Sequence, residues 1–592
     1  MTVSATREQL RKTIRSDEHS VVTELLQSTP RSARSRQRVL AASQKLVTAC
    51  RSDKKQFDTL DALFSEYGLS NTEGLQLMCL AESLLRVPDA STIDRLIAEK
   101  LQAGNWRAHL RGSGSALVNT CTRGLVLAKH LTRGNTEVTS QAVVQSKSLG
   151  FGVADAAMRT ATISAMKVMG GQYVLGRTIV EGLQRGAKNT QPGTRYSFDM
   201  LGEGARHYAD AANYASAYAD AIDEIGQRNC AKGVQEADGI SVKLSALHPH
   251  FELAQQRLVM AELLPSIKRL CLRAKHHNIG LTIDAEESYR LDLSLDIFKS
   301  LAEDVDLAGW QGLGFVLQAY QKRAPLVTQW LIELARQTGR RVPVRLVKGA
   351  YWDGEIKRAQ ELGLEDYAVY TRKAHTDLSY EHCAGRLLAA PDAVYPQFAT
   401  HNAYTVAMII DLAGDREFEF QRLHGMGHVL YAQLNHRRGS AAIPVRVYAP
   451  IGEHADLLPY LVRRLLENGA NSSFVNAFLD PKTPLKTLLQ DTRDQVAEVF
   501  PYTHKKIARP GQLFSSVGEI RKNSPGLDLD DTLGAAALSA TIAKMPALTA
   551  HAIIDGVAVE GSHEALYNPA DQRQLIGHYV ATSLVDVVGA LA

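Results

Sequence analysis

The sequence predicts an α/β fold, a (βα)8 barrel of the TIM type preceded by a helical arm and an α-helical domain. From residue 195 onward, short apolar or β-branched runs alternate with amphipathic segments, which indicates parallel strands joined by helical crossovers. Eight such units within about 300 residues are typical of a closed barrel. No Gly-x-Gly-x-x-Gly motif follows the first run, so an open doubly wound sheet is less favoured.

The first 190 residues are predicted to be helical. Apolar residues recur at intervals of three and four in runs such as TEGLQLMCLAESLLR and ATISAMKVMGGQYVLGRTIVEGLQR, and no alternating strand pattern interrupts them. The stretch RGSGSA, with Gly112 and Gly114, marks a break between two helical sections. We therefore expect a helical arm and α-domain over 1–110 and a helical linker region over 111–190.

The strand candidates define a barrel over 191–500. In chain order they are RYSFDML, GISVKLSAL, GLTIDAE, LGFVLQAY, VPVRLVKGAY, QFATHN, FEFQRL and VRVYAPIG. Helical segments such as AELLPSIKRLCLRAKHHNIG and APLVTQWLIELARQTG lie between them, and most close on a glycine, the residue preferred just after a helix end.

Composition excludes several classes of protein. The 592 residues are 45% hydrophobic and 22% charged, an ordinary globular mixture. A formal charge of +4 over this length does not by itself indicate a nucleic-acid or membrane surface. Six scattered cysteines without a CxxC pair fit a reducing cytoplasm, and the charged N-terminus lacks the apolar region of a secretory signal. No zinc-ligand spacing, P-loop or HExxH motif occurs, so we expect no metal site.

Polar residues follow the predicted strands at their carboxyl ends, where barrel enzymes place their chemistry. Charges within such apolar runs are costly to bury unless they are paired. The residues found there are Lys243, Asp284 with Glu286 and Glu287, Gln318, Arg345 with Lys348, Thr400 with His401 and Asn402, Gln421 with His424, and Tyr448.

Each of these positions has a structural and a functional interpretation. Lys243 and Asp284 form either a structural ion pair or a polar floor beneath a small zwitterion. Arg345 and Lys348, followed by a glycine and two aromatic residues, suit a phosphate-bearing cofactor with a stackable base, or else simple salt bridges. His401 is either a core histidine or a ligand contact.

The helix after the eighth strand carries two adjacent arginines, Arg463 and Arg464. Glu467 lies one turn further on and can pair with either of them. The structural interpretation is that Arg463, Arg464 and Glu467 form a charged helix face exposed to solvent, with no role in binding. Against it, leucine and valine residues flank the pair, and two guanidinium groups supply the bidentate geometry that a carboxylate prefers.

At these residues the sequence resembles the proline dehydrogenase domain of the bacterial proline utilization A flavoenzymes. The resemblance covers roughly residues 195 to 480, and the helical region before it resembles the arm and α-helical domains of that family. The matching motifs, in order, are SVKLSALHPHFE, LTIDAEESYRLDLSLDIF, GFVLQAYQKRA, RLVKGAYWDGEIKRAQ, FATHN, FEFQRLHGMG, RVYAPIGEH and YLVRRLLENGANSSFV.

The resemblance implies an FAD-dependent oxidation of L-proline to Δ1-pyrroline-5-carboxylate, with hydride passing from proline C5 to flavin N5 and electrons then passing to a membrane quinone. Lys243, Arg463 and Arg464 are implied to bind the substrate carboxylate, and Asp284 to lie beside the amine. The implied residues around the proline ring are Ala350, Tyr351, Leu423 and Tyr448. Those implied for FAD are Gln318, Arg345, Val347, Lys348, Gly349, Trp352, Thr371, Lys373, Thr400, His401, Asn402, Gln421 and Glu467.

The two ends depart from the longer family members. The first residues do not resemble the basic ribbon-helix-helix segment with which such members bind DNA, so we expect no nucleic-acid partner. RKNSPGLDLDD and NPADQRQLIG resemble the opening of the second catalytic domain of the family, an NAD-dependent glutamate semialdehyde dehydrogenase. We expect 501–592 to be a linker and the truncated start of that domain, poorly ordered from about residue 510, and the second activity to be absent.

Two other functions remain as alternatives: a proline- and redox-responsive DNA-binding repressor, and a catalytically inactive scaffold. The resemblance further implies a cytoplasmic protein with peripheral association with the inner membrane. The sequence leaves open whether copies of the chain associate as a homo-oligomer.

Overall fold

The computed structural model describes residues 2–29, 31–52, 174–188, 193–228, 233–439, 442–452 and 483–591, together with 105–109 and isolated positions between 89 and 126. The chain divides into two compact units, Met1–Asp530 and Asp531–Ala592. The first unit contains the barrel and is considered first.

Eight parallel strands form a closed barrel in which each strand pairs with the next along the chain and the eighth pairs with the first. Each of the eight predicted runs overlaps one of these strands, so the predicted fold class is confirmed. The strands are β1 (Thr194–Met200), β2 (Gly239–Val242), β3 (Leu281–Ile283), β4 (Leu313–Gln318), β5 (Val342–Val347), β6 (Val394–Ala399), β7 (Glu419–Leu423) and β8 (Val445–Ile451).

Helices surround the barrel, and three helices of the N-terminal arm pack outside them. In the first unit the described helices are α1 (Val3–Lys12), α2 (Glu18–Ser28), α3 (Ala33–Ser52), α4 (Ile179–Lys188), α5 (Tyr208–Arg228), α6 (Leu244–Leu247), α7 (Gln256–His276), α8 (Leu291–Glu303), α9 (Ala324–Gln337), α10 (Trp352–Glu361), α11 (Lys373–Leu388), α12 (Ala403–Ala413), α13 (His428–Arg438), α14 (Leu485–Leu488) and α15 (Thr492–Glu498).

The core lies between the strands and this helical layer. Strands β2, β3 and β4 are buried along their whole length because helices cover one face and the barrel interior the other, which explains their nearly continuous apolar sequences. Phe298 on α8 packs against Phe315 on β4 with ring centroids 5.0 Å apart. Trp330 on α9 is fully buried in the same layer.

A buried ion cluster closes the amino-terminal end of the barrel. Glu419, the first residue of β7, accepts hydrogen bonds from Arg446 at 2.6 and 3.1 Å and from Arg195 at 3.2 Å. Arg446 also donates to the backbone oxygen of Ala237 at 2.8 Å. Because these groups lie at the end opposite to the one that barrel enzymes use for chemistry, we assign them to stability.

The first compact unit extends past the boundary that the sequence placed at residue 500. Asp528 forms salt bridges with Arg15 of the arm at 2.9 Å and with Arg358 on α10 at 2.8 Å. The side chain of Asn523 donates to the backbone oxygen of Gln360 at 2.8 Å. Residues 501–530 therefore pack on the barrel.

The second unit contains two helices and small sheets. Its elements are α16 (Thr532–Ile542), β9 (Leu548–Ala550), β10 (Ile553–Ile554), β11 (Val557–Ala558), β12 (His563–Asn568), β13 (Asp571–Val580) and α17 (Leu584–Leu591). Many of its large apolar side chains are exposed, among them Leu584, Val585 and Leu591, each at least four-fifths accessible. Across all the helices that the structure describes, none combines the length and the apolar character needed to cross a bilayer.

Candidate active site at the carboxyl ends of the strands

Five polar residues from five strands meet at the carboxyl end of the barrel. Lys243, directly after β2, donates to Asp199 of β1 at 2.6 Å and lies 3.7 Å from Asp284, directly after β3. Asp284 also pairs with Arg345 of β5 and accepts a hydrogen bond from the Tyr448 hydroxyl of β8 at 2.8 Å. We call these five residues the polar floor.

The polar floor is a bonded network rather than a collection of separate ion pairs. Arg345 lies 4.9 Å above the centre of the Tyr448 ring and donates to the Ser241 hydroxyl at 3.0 Å. One guanidinium therefore contacts an aromatic face, a hydroxyl and the Asp284 carboxylate at once. Lys243 and Asp284 lie within ion-pair distance, as the structural interpretation predicts, and Asp199 is a second carboxylate partner of Lys243. The zwitterion interpretation stays a prediction.

Burial alone would lower the pKa of Lys243, but Asp199, with Tyr448 and Asp284, outweighs it, so the pKa of this ammonium lies well above its ordinary value. Complete burial raises the pKa of Asp199 and outweighs the attraction of Lys243. Lys243 is consequently a fixed cation at neutral pH. It can bind an anion but cannot accept a proton.

Asp199 is the member of the polar floor that the sequence analysis missed. It lies within the run RYSFDML, one residue before the end of β1, and its second carboxylate oxygen is buried without a hydrogen-bond partner. The signal in the sequence is an acidic residue near the end of the first apolar run, and in the barrel Asp199 pairs in register with Ser241, two residues before Lys243.

A cleft beside the polar floor carries two lysines and two helix N-termini. Lys348, after β5, and Lys373, the first residue of α11, both bind Asp377, the latter at 2.8 Å. Although burial raises it, the pKa of Asp377 falls to about 2 because of Lys348 and Lys373. The space between the atoms measures about 930 Å³, and its described lining includes Tyr380, Asn402 and Thr405.

The start of α12 is fixed by Asn402, whose side-chain oxygen accepts from the backbone N–H of Thr405 at 3.1 Å. Helix N-termini carry partial positive charge, so α11 and α12 together with the two lysines favour an anion in this cleft. Of the residues expected at the cofactor, the structure brings Lys348, Lys373 and Asn402 together in this cleft, whereas Arg345 lies in the polar floor.

The segments after β6 and β7 are bound to each other. His401 accepts from the backbone N–H of Leu423 at 3.1 Å, so the described contact of His401 positions a residue expected beside the substrate ring. Thr400 donates its backbone N–H to Gln421 at 3.3 Å. The side chain of Gln421 donates to Glu419 at 3.1 Å, while its amide oxygen is buried without a partner.

The loop after β5 approaches β4 closely at Gly349. This glycine has φ of +132°, and a Cβ atom there would lie 2.4 Å from the ring of Tyr320. No other residue fits, because both the backbone conformation and the contact exclude a side chain. Val347, Ala350 and Tyr351 are half-buried around it, and the Trp352 indole donates to the backbone oxygen of Tyr370 at 2.8 Å.

Thr371 is bonded to the N-terminal arm, and no local sequence pattern specifies a contact between residues 353 positions apart. Its backbone N–H and hydroxyl donate to the Glu18 carboxylate at 2.9 and 2.7 Å, and His375 contacts the same carboxylate at 2.6 Å. Gln318 is likewise engaged, since it donates to the backbone oxygen of Glu286 at 3.0 Å and accepts from Gln321 at 2.7 Å.

Three expected site residues, Arg463, Arg464 and Glu467, lie outside the described residues. The other expected residues all lie on strands β2 to β8 or on the segments that follow them. Within the described part of the chain, no cluster of histidine, cysteine or acidic side chains has the arrangement of a metal site.

Fold and site together define a parallel (βα)8-barrel enzyme with a charged floor and a cleft lined by two lysines. A family model described as proline dehydrogenase matches residues 182–477, and one described as the DNA-binding domain of proline dehydrogenase matches residues 59–173. The bifunctional protein PutA of Klebsiella aerogenes is 45% identical over 549 residues, 90% of this chain and 41% of that protein. The Escherichia coli protein of the same name is 46% identical over 539 residues, 88% of this chain and 40% of its own length.

The fold has a solved counterpart in a crystal structure of proline utilization A from Bradyrhizobium japonicum. It is 43% identical, with a TM-score of 0.70, over 90% of this chain and 53% of that one. The chain belongs to the proline dehydrogenase family. It spans about two fifths of the length of the curated relatives named above and about half of the solved one.

The second family model bears on the expectation that nucleic acid is not a partner. Its description names a DNA-binding domain, so the match over 59–173 conflicts with that expectation. The first residues, which lack a resemblance to a ribbon-helix-helix, lie before the matched segment. Almost all of the matched segment lies outside the described residues.

Proposed function

We propose that this chain oxidises L-proline to Δ1-pyrroline-5-carboxylate with FAD bound at the carboxyl ends of the barrel strands. The polar floor is the observation that carries the proposal. It presents a buried ammonium group and, beside it, a carboxylate, which matches the two charges of a small amino acid. The family assignment supports the same substrate.

The residues present fit a flavin dinucleotide. Gln421 ends in a buried amide oxygen without a partner, an acceptor for an N–H group of the flavin ring. The cleft with Lys348, Lys373 and the N-termini of α11 and α12 suits a pyrophosphate. Gly349 packs against the ring of Tyr320, and Trp352 begins α10 three residues later, with its indole bonded to the backbone oxygen of Tyr370.

We assign Lys243 to the substrate carboxylate, because its ammonium stays charged and is held by Asp199. Asp284 lies beside the substrate amine and is fixed by Tyr448 and Arg345 on its other side. These contacts orient proline while its carboxylate stays ionised throughout. The substrate nitrogen must lose its ammonium proton, because its lone pair forms the imine bond as hydride leaves C5. When bound, FAD would supply the acceptor for the hydride that leaves proline C5.

Arg463 and Arg464 complete the carboxylate site in this proposal, and Ala350, Tyr351 and Leu423 enclose the ring with Tyr448. Val347, Thr371, Thr400 and Glu467 complete the flavin site. The electrons pass on to a membrane quinone, which requires a cytoplasmic protein able to associate peripherally with the inner membrane. The motif resemblance supports these assignments.

The test is an anaerobic absorbance spectrum of the purified chain before and after L-proline. We expect oxidised-flavin bands that bleach on addition of L-proline and persist with D-proline. Lys243→Met should abolish the bleaching, whereas Lys299→Met, at a half-buried position on α8, should leave it unchanged. A flavin spectrum that L-proline does not alter would disprove the substrate assignment, and a protein that does not retain added FAD would disprove the cofactor.

A second candidate function is DNA binding, favoured by the match of residues 59–173. A gel shift with promoter DNA of a proline-utilisation gene, with and without an excess of unrelated DNA, tests it. A shift that survives the competitor would support this function, and no shift at low salt would exclude it, because nonspecific phosphate contacts strengthen as salt falls.

A further inference from the structure

Tyr320 lies behind the loop that carries Ala350, Tyr351 and Trp352. Its ring contacts Gly349 so closely that no side chain fits between them. Its backbone N–H donates to Lys348 O at 2.7 Å, and its backbone oxygen accepts from Tyr370 N at 2.8 Å. Tyr320 therefore joins the segment after β5 to the segment that contains Thr371.

Glu355, in the first turn of α10, connects the same loop to the segment after β3. The backbone N–H and the hydroxyl of Ser288 donate to the Glu355 carboxylate, both at 2.5 Å, and the Tyr320 hydroxyl donates to it at 3.3 Å. Tyr320 is 2% exposed and Glu355 is 7% exposed. A buried carboxylate with three donors holds its neighbours in one geometry, since each lost bond leaves a desolvated polar group.

This group is linked in turn to the N-terminal arm. Arg323, 2% exposed, donates to the backbone oxygen of Ser288 at 2.6 Å and to Asp292 at 3.0 Å. Arg7 of α1 pairs with the same Asp292 and donates to its backbone oxygen at 2.6 Å. A continuous set of buried polar contacts thus runs from the arm to Gly349.

We propose that Tyr320 and Glu355 are positioning residues that hold Ala350 and Tyr351 against the proline ring. Neither side chain reaches the polar floor; both act through the loop from Gly349 to Trp352. The inference rests on the proposed function for its substrate, but the geometry that carries it lies outside the substrate contacts.

The variants Glu355→Gln and Tyr320→Phe keep size and shape while they weaken the contacts. We expect each to raise the KM for L-proline about tenfold and to change kcat less than about twofold, because a displaced loop weakens binding of the ring. Glu361→Gln, at the exposed end of the same helix, is the matched control and should leave both constants unchanged. A combination with Tyr351→Phe should be less than additive, since both changes act on the same contact.

Binding of tetrahydrofuran-2-carboxylate, in which oxygen replaces the reacting amine, gives a readout independent of turnover. We expect the flavin absorbance change on binding to require about tenfold more of this analogue in both variants, as the KM does. Melting temperature and FAD retention are recorded in parallel. A lower melting temperature with unchanged KM and unchanged analogue affinity would overturn the proposal and leave a merely structural role.

The wild-type chain separates this inference from the proposed function. If wild type oxidises proline and the variants match it in KM and analogue affinity, only the positioning role fails. If wild type binds the analogue but does not oxidise proline, the proposed reaction fails, and a loss of analogue affinity in the variants still supports the positioning role. If wild type does neither, both fail.

Discussion

Lys243 shows how stability and function overlap at a single residue. It is buried between Asp199 and Asp284, so replacing it leaves the Asp199 carboxylate desolvated without its cation, whereas Asp284 keeps Arg345. Removing one partner of a buried ion pair costs roughly 3–5 kcal/mol. The same ammonium is assigned to the substrate, and a double variant can separate the two roles.

We predict that Lys243→Met strongly lowers the free energy of unfolding and lowers kcat/KM for L-proline by at least about 100-fold. Adding Asp199→Asn should recover much of the stability, because the unpaired charge is removed, but none of the activity. Urea denaturation and steady-state assays on the same preparations measure both. Activity that returns with stability would assign Lys243 to the fold alone.

The lowered pKa of Asp377 predicts how the stability of the protein depends on pH. Its ordinary pKa of 3.8 falls to about 2 in the folded protein, which corresponds to about 2 kcal/mol of stability. Because the folded pKa is the lower one, this stability is present above pH 3.8 and is lost as the pH falls toward 2.

Asp377→Asn should therefore lower the melting temperature at pH 7, and the difference from wild type should shrink below about pH 4. Differential scanning calorimetry between pH 7 and pH 3.5 tests this, with Asp415→Asn at an exposed position as control. A difference that stays constant down to pH 3.5 would contradict the assigned ion pairs with Lys348 and Lys373.

At the scale of elements, α12 combines a structural cap with a proposed anion site. Asn402 caps the helix, and a cap lost to alanine typically costs about 1 kcal/mol. An aspartate at this position can accept the same hydrogen bond but adds a negative charge beside the cleft.

We expect Asn402→Ala to lower stability by about 1 kcal/mol and Asn402→Asp to preserve it. FAD affinity should show the opposite order, with Asn402→Asp the weaker binder because its carboxylate repels the pyrophosphate. Titration of apoprotein with FAD, followed by flavin fluorescence, measures the second effect. Equal FAD affinities for wild type and Asn402→Asp would place the pyrophosphate elsewhere.

The strands and their order could be predicted from the sequence, because each buried parallel strand is a short apolar run and a barrel allows only one simple order of neighbours. Lys243, Asp284 and Tyr448 were predictable for the same reason, since they interrupt or end those runs. The bonds between Glu18 and Thr371 and between Arg7 and Asp292 were not. They join residues about 290 to 350 positions apart, and nothing in a local pattern specifies such pairs.

At the scale of the whole molecule, the chain divides into two compact units, and the first ends at Asp530. The second unit exposes many apolar side chains, including Leu584 and Val585. Apolar surface of this extent favours self-association.

Deleting residues 531–592 should leave proline oxidation and the melting temperature of the barrel unchanged within about 2 °C, and should reduce binding of a hydrophobic dye. Deleting residues 519–592 should lower the melting temperature, because the bonds of Asn523 and Asp528 to α10 are then lost. Light scattering on the same proteins tests whether copies associate through the second unit. A barrel destabilised by the shorter deletion would show that the first unit depends on residues after 530.

Two cysteines buried in the helical layer around the barrel allow the rate at which this layer opens to be measured. Cys271 on α7 and Cys383 on α11 are completely buried, and burial raises the pKa of both thiols, that of Cys383 to about 11. A maleimide or disulfide reagent must reach the sulfur atom and reacts with its thiolate form. In the folded barrel the two sulfur atoms are inaccessible, and their raised pKa values disfavour the thiolate. Mass spectrometry then gives the rate at which each of the two cysteine peptides acquires the label. This rate measures how often α7, or α11, separates from the strands.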